Sequence, residues 1–209
     1  SGDWSSDVCS SDLSLPRLRE DDFDRTNYPS GVSPQWPFSY ADLEPYYGRV
    51  EQWFHVHGTP GQDPTDPWRS EAYPAPAMPH EPYVAETVER LRAQGLNPTT
   101  TAMGVDFGPQ GACVRCATCD GFPCRLGAKS DAETCAVIPA LQTGRTRILV
   151  GSRVTRVLEE ASKVTGVEGI RNGEPFRVSA GVVVLSAGAA NSAALLLRSA
   201  TSDRPSGLA

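Results

Sequence analysis

The sequence has no long uninterrupted apolar run. Its longest candidates, residues 181–190 and 193–197, fall short of the roughly 20 uncharged apolar residues that a membrane-spanning helix requires. The first residues also lack the basic start and apolar middle of a secretory signal. We therefore expect a soluble protein with no membrane span, and its compartment, cytoplasmic or periplasmic, stays open.

Basic residues are few and are not clustered. The 19 Lys and Arg residues stand against 25 Asp and Glu residues, which gives a net charge of −6. No basic cluster of the kind that follows a phosphate backbone is present, so nucleic acid is not an expected partner. The chain also contains no G-x-G-x-x-G, and a complete dinucleotide site is therefore not expected in it.

The chain has 209 residues, 39% of them hydrophobic, which is enough to fold around a core. Residues 1–13 (SGDWSSDVCSSDL) differ sharply in composition from the rest of the chain and resemble an in-frame translation of a short-read sequencing adapter. We expect this stretch to be disordered and the chain to be a fragment of a longer protein.

Two helices are predicted in the first half of the chain. Ser39 is placed as an N-cap, and apolar residues recur at helical spacing through residues 43–54, which favours a helix packed through its aromatic face. A second helical period runs over residues 82–94 and ends at Gly95. Residues 96–107 leave room for one strand.

The second half changes from a helical to a strand period. Residues 130–133 (SDAE) form a capping box that predicts a helix over residues 131–142, kinked or shortened by Pro139. Short strands are predicted at 147–150, 154–159, 164–171 and 176–179, with a type I′ turn at Asn172-Gly173. Residues 182–185 suit a buried parallel strand that leads through the small residues 186–190 into a helix.

Four cysteines lie within twelve residues in the pattern C-x2-C-x2-C-x4-C. They are Cys113, Cys116, Cys119 and Cys124. Thiolates at this density could bind zinc or an iron–sulfur cluster, and disulfides or unpaired thiols are equally open interpretations. Cys135, on the predicted helix, is expected in the core. Of the three histidines, His55 and His57 lack a third ligand and are assigned to packing or the surface.

Four segments in order resemble the glucose–methanol–choline (GMC) oxidoreductases, FAD enzymes that oxidise alcohols and sugars. The matching segments are residues 17–23 (RLREDDF), 36–47 (WPFSYADLEPYY), 127–130 (GAKS) with Pro139-Ala140, and 183–199 (VVLSAGAANSAALLLRS). The last segment departs from the family pattern at Ala193, where proline is frequent, and at Ala200, where glycine is frequent.

The resemblance implies an α/β fold with α+β character: part of a Rossmann-like FAD-binding domain with a β-meander, and part of an antiparallel-sheet substrate domain. Residues 14–127 would belong to the substrate side and residues 128–209 to the flavin side. It places Val154 beside the adenine and Ser186, Ala187 and Gly188 against the nucleotide. The family's catalytic histidine pair and its phosphate fingerprint match no segment of this chain.

The sequence thus predicts a fragment of an FAD-dependent oxidoreductase acting on the CH–OH group of an alcohol or sugar, itself inactive, with an electron-acceptor protein as a further partner. Two alternatives belong to other classes. One is a cysteine-rich electron-transfer or structural module holding an iron–sulfur cluster or zinc at Cys113–Cys124. The other is an interaction domain that docks through the aromatic helix at residues 40–54.

Overall fold

The computed structural model describes residues 13–116, 119 and 123–208. Residues 1–12 of the stretch expected to be disordered lie outside the described part, and Leu13 is buried. The chain divides into two compact units between Arg145 and Thr146. No helix in the described residues has the length and apolar character needed to cross a membrane.

Within the described residues, the first unit holds three α-helices and two small antiparallel sheets. Strand β1 (Thr26–Tyr28) pairs with β2 (Gly31–Ser33), and β3 (Val56–His57) pairs with β4 (Met103–Gly104). The helices are α1 (Tyr40–Trp53), α2 (Pro82–Ala93) and α3 (Ile138–Gln142). Both predicted first-half helices are confirmed. Gly95 follows α2 with a φ of +80°, as expected of a residue that closes a helix.

Helix α1 begins after Ser39, as predicted, and Ser39 and Asp42 form a capping box. The Asp42 carboxylate accepts from the Ser39 backbone N–H and hydroxyl, both at 2.8 Å. The predicted aromatic packing face is wrong at three positions, because Tyr46, Val50 and Trp53 are exposed. The structure therefore turns a different face of α1 inward.

The buried face of α1 is polar. Its buried residues are Tyr40, Glu44, Gly48 and Glu51. Arg17 lies against them and donates from Nε and Nη2 to the two Glu51 oxygens at 2.7 and 2.8 Å, and from Nη1 to Glu44 at 3.0 Å. Such paired charges remain favourable in a buried site only when their hydrogen-bonding capacity is met.

Further partners complete this buried ion network. Arg69 donates to both Glu51 oxygens, and Ser70 donates to Glu44 from its backbone N–H at 2.8 Å and from its hydroxyl. Burial alone would lower the pKa of Arg17, but its hydrogen bonds to Glu51, Tyr40 and Glu44 outweigh burial and raise the pKa. Arg17 therefore stays charged, and the network ties residues 17 and 69–70 to α1.

The network makes stability depend on pH through Glu44. The Ser70 N–H, followed by the bonds from Arg17, lowers the pKa of Glu44 below its ordinary value of 4.5. A carboxyl group whose pKa is lower in the folded than in the unfolded state stabilises the fold at pH values above its ordinary pKa. This contribution is lost as the pH falls through the folded-state pKa. We expect the free energy of unfolding to decrease between about pH 5 and pH 3 in urea titrations.

The Glu44 contribution is obtained from the difference between wild type and Glu44→Gln. Asp42 and Asp63 also have lowered pKa values and act in the same direction in both proteins. The variant should therefore show a smaller decrease on acidification. Identical pH profiles for the two proteins would contradict the assignment.

The predicted helix near residue 131 forms with an irregular first turn. Residues Glu133–Val137 make a π-helical turn that leads into α3, and Asp131, rather than Ser130, caps it by accepting from the Thr134 N–H at 2.7 Å. Pro139 has no N–H to give the Cys135 carbonyl. The Trp53 indole Nε1 donates to that carbonyl at 2.7 Å instead.

The second unit is a three-stranded antiparallel meander followed by a helix. Its elements are β5 (Ser152–Glu160), β6 (Lys163–Arg171), β7 (Glu174–Ser179) and α4 (Ala189–Arg198). Asn172 and Gly173 join β6 to β7 with positive φ values of 50° and 91°, which confirms the predicted two-residue hairpin turn. The strands predicted at 154–159, 164–171 and 176–179 lie within β5, β6 and β7.

Two predicted strands do not form. Residues 147–150 and 182–185 have no strand partner among the described residues, and Val150, Val182 and Val184 are strongly exposed. A buried parallel strand needs a neighbouring strand for its backbone hydrogen bonds and cover on both faces. The described sheet is antiparallel and ends at β5 and β7, so these β-branched residues lack that environment.

Candidate functional site

The turn from Ser186 to Ala190 is open and leads directly into α4. Gly188 caps the helix with a φ of +76°, and nothing lies within 4 Å of the position that a side chain would occupy there. The Ala187 N–H is directed at the Ser192 hydroxyl oxygen at 3.3 Å. An exposed glycine turn at a helix N-terminus allows a nucleotide to approach the backbone closely.

Val154 lies on β5, the strand at one edge of the meander. The Asn172 N–H donates to the Gly151 carbonyl, and hydrogen-bonded pairs alternate along an antiparallel ladder. Residue 153 therefore faces β6, whereas the N–H and C=O of Val154 point toward the open edge. A backbone donor and acceptor side by side can pair with the edge of an adenine ring.

Ser199 joins α4 to β5, a role that the sequence motifs do not reveal. It is fully buried, and its hydroxyl accepts from the Val157 N–H at 2.9 Å and donates to the Leu195 carbonyl at 2.7 Å. Arg156 adds a bond from Nη2 to the Ala200 carbonyl at 2.6 Å. These contacts join the C-terminal end of α4 to β5, the strand that carries Val154.

The four clustered cysteines line one small cavity of about 150 Å³. Cys116 and Cys119 are exposed, while Cys113 and Cys124 are half-buried. Burial would raise the pKa of Cys124, but backbone N–H groups led by that of Ala128 outweigh burial and lower it. The Lys129 ammonium donates to the Cys119 carbonyl at 2.8 Å.

The arrangement of the described cysteines does not match a metal site. Within residues 13–116, 119 and 123–208, no group of three or more His, Cys, Asp or Glu side chains is arranged to hold a metal ion. The Cys124 sulfur is engaged by the N–H groups of its own loop, and Cys116 and Cys119 are exposed residues. The structure thus gives no support to the zinc or iron–sulfur alternative. Cys135 is buried, as predicted.

The histidines occupy separate environments. His57 is buried on β3, where its Nδ1 lies 2.8 Å from the Pro76 carbonyl and its ring meets Phe107 edge-on. His55 is exposed and has a positive φ of 49°. The packing assignment therefore suits His57, and His55 lies at the surface.

Comparison with known proteins gives one consistent family. A sequence model described as GMC oxidoreductase matches residues 33–207. The chain is 33% identical over 202 residues to the 6'''-hydroxyparomomycin C oxidase of Streptomyces lividus and 30% identical over 201 residues to the paromamine 6'-oxidase of Streptomyces fradiae. An uncharacterised GMC-type oxidoreductase of Mycobacterium bovis is 29% identical over 186 residues.

These alignments cover most of this chain and a minor part of each relative. They include 92% of the chain and 36% of each Streptomyces oxidase, and 87% of the chain and 32% of the Mycobacterium protein. The chain thus spans about a third of the length of these curated relatives. Because the family model matches well over half of its residues, the chain belongs to the GMC oxidoreductase family.

Proposed function

We propose that this chain is part of an FAD-dependent enzyme that oxidises the CH–OH group of a small alcohol or sugar. The family match over residues 33–207 carries the proposal, because GMC oxidoreductases are FAD flavoproteins acting on CH–OH donors. The bound flavin would supply the chemistry by accepting a hydride from the alcohol carbon. The residues of this chain would bind the cofactor and shape the site.

The second unit has features that fit the adenosine half of FAD. The open backbone at Ala187 and Gly188 would lie against the nucleotide, with Ser186 at the start of the turn, and the outward N–H and C=O of Val154 would pair with the adenine edge. In the whole protein the exposed residues 182–185 would join a parallel Rossmann-like sheet. This addition would cover Val182 and Val184.

The two parts of the chain are proposed to serve different sides of the active site. Residues 14–127 would serve the substrate side and residues 128–209 the flavin side. The geometric division lies later, between residues 145 and 146, because residues 128–130 pair and pack with the first unit. The functional boundary between residues 127 and 128 applies to the whole enzyme and stays a prediction.

The substrate proposal draws on the relatives. The two Streptomyces proteins are named as oxidases of 6'''-hydroxyparomomycin C and of paromamine, and the second name denotes an amine. We assign this chain's enzyme an amine-bearing sugar alcohol as substrate. No histidine of this chain matches the family's base position, so the base that removes the hydroxyl proton would come from another part of the longer protein. Contacts to any electron-acceptor protein would also come from there.

Gly188→Ala tests the cofactor site. In the chain extended to the length of its relatives, a methyl group at this turn should reduce bound flavin at least about tenfold, because it blocks backbone approach and strains a positive φ. Flavin occupancy is measured from visible absorption after gel filtration. The reaction is tested in the extended wild-type chain. Addition of an amino sugar alcohol under anaerobic conditions should bleach the flavin absorption.

Gly95→Ala is the matched control. Gly95 has a φ of +80° and, like Gly188, open space where a side chain would lie, but it closes α2. Its variant should suffer similar backbone strain and retain flavin. Equal flavin occupancy in the two variants would contradict the placement of FAD at residue 188.

A further inference from the structure

A cavity of about 320 Å³ lies in the first unit between the end of α1 and the π-helical turn. We name it the Trp53 cavity. Its wall includes Trp53, His55, Asp106, Ser130, Thr134 and Pro139. Its volume falls at the lower end of the range for small-molecule sites, which is about 300–1,000 Å³.

Two irregular backbone segments shape this cavity. His55 adopts a left-handed conformation with φ +49° directly after α1, and the turn Glu133–Val137 is π-helical. Non-glycine residues in left-handed conformations and π-helical turns are both concentrated at functional sites, because each is less stable than the regular alternative. Here the two irregularities lie on the same cavity.

Trp53 is held in a fixed orientation although it is exposed. Its indole Nε1 donates to the Cys135 carbonyl, and its ring meets Phe54 edge-on at 5.9 Å between centroids. The residue is still 56% exposed. A rigid, accessible indole face offers an apolar platform for a flat ligand surface at low entropic cost.

The polar groups of the cavity favour a cation with hydroxyl groups. Asp106 lines the cavity and is anchored through Oδ2, which accepts from the Ala112 N–H at 3.0 Å. The hydroxyl of Thr134 and the imidazole of His55 add hydrogen-bonding groups. Among the described residues, the cavity wall includes a carboxylate and no lysine or arginine, so it suits an ammonium group and not a phosphate.

We propose that the Trp53 cavity binds an amine-bearing sugar, with the sugar's C–H face on the Trp53 indole and its ammonium group on Asp106. This inference rests on the proposed function and assigns the substrate's sugar ring to a specific place on this chain. The complementarity comes from one aromatic face, one carboxylate and neighbouring hydroxyl groups.

The test is a titration of the 209-residue chain with glucosamine. Binding is monitored by intrinsic tryptophan fluorescence and by amide chemical shifts. We expect a saturable change, amide shifts centred on Asp106 and Thr134, and weaker binding of glucose, which has no ammonium group. Asp106→Asn keeps the acceptor for Ala112 but removes the charge, and should weaken glucosamine binding at least about tenfold. Trp53→Phe should remove the fluorescence change.

Asp203→Asn is the matched control, since it removes an exposed carboxylate in the other unit and should leave binding unchanged. Absence of saturable binding, or equal affinity in Asp106→Asn and wild type, would overturn the inference. In the extended enzyme, an active flavoprotein whose KM for an amino sugar is unaffected by Asp106→Asn would overturn the binding site alone. Failure to hold flavin or to oxidise any alcohol would overturn the proposed function instead.

Discussion

Replacing Arg17 with methionine is expected to reduce the free energy of unfolding by about 3–5 kcal/mol, the cost of removing one partner from a buried ion pair. The Arg17 side chain is 2% exposed and bonds Glu44, Glu51 and Tyr40. Without the guanidinium, Glu44 would remain a buried carboxylate with only the Ser70 donors. Urea unfolding of the chain, monitored by far-ultraviolet circular dichroism, measures this loss.

Two further variants separate this effect from general sensitivity to arginine removal. Arg90→Met breaks an exposed pair with Glu86 on α2 and should cost about 0.5 kcal/mol or less. The double variant Arg17→Met/Glu44→Gln should recover part of the loss, because the orphaned charge is removed while Arg69 still pairs with Glu51. Similar losses for Arg17→Met and Arg90→Met would contradict the network's role.

Gly166→Ala should destabilise the second unit by about 3 kcal/mol, because it combines backbone strain with a steric clash. Gly166 lies on β6 with a φ of +154°, and a Cβ atom there would collide with the Val178 carbonyl oxygen of β7. The strand pairing would have to shift. Amide hydrogen exchange in β5, β6 and β7 should report the loss directly.

Gly181→Ala is the control for this prediction. Gly181 comes after the meander, and nothing lies within 4 Å of its potential Cβ position. Its variant should leave exchange in the three strands close to wild type. If Gly166→Ala also left exchange unchanged, the close approach of β6 to β7 would be refuted.

Helix α1 shows how far local sequence rules reach. Its start, its length and the polar residues at its first turn depend on neighbouring residues, and the helix forms where predicted. Its orientation does not depend on them. The partner of its buried face is Arg17, which lies 27 and 34 residues before Glu44 and Glu51, so the inward face depends on contacts that periodicity does not encode.

In the candidate flavin site, too, the sequence identifies some residues and the structure identifies others. The residues Val154, Ser186, Ala187 and Gly188 came from family motifs, and the open backbone at residue 188 reflects a glycine with a positive φ. The role of Ser199 as the link between α4 and β5 required the structure. So did the Trp53 cavity, whose walls come from separate segments ending at His55, Asp106 and Pro139.

The sequence by itself determined the family, the helices α1 and α2, the β6–β7 hairpin and the small-residue turn at residues 186–190, because each depends on short-range spacing or on an ordered set of motifs. Only the tertiary structure decided which face of α1 is buried and that residues 147–150 and 182–185 form no strand with any other part of the described chain. These outcomes depend on partners distant in the chain, and burial and strand pairing are properties of contacts between segments.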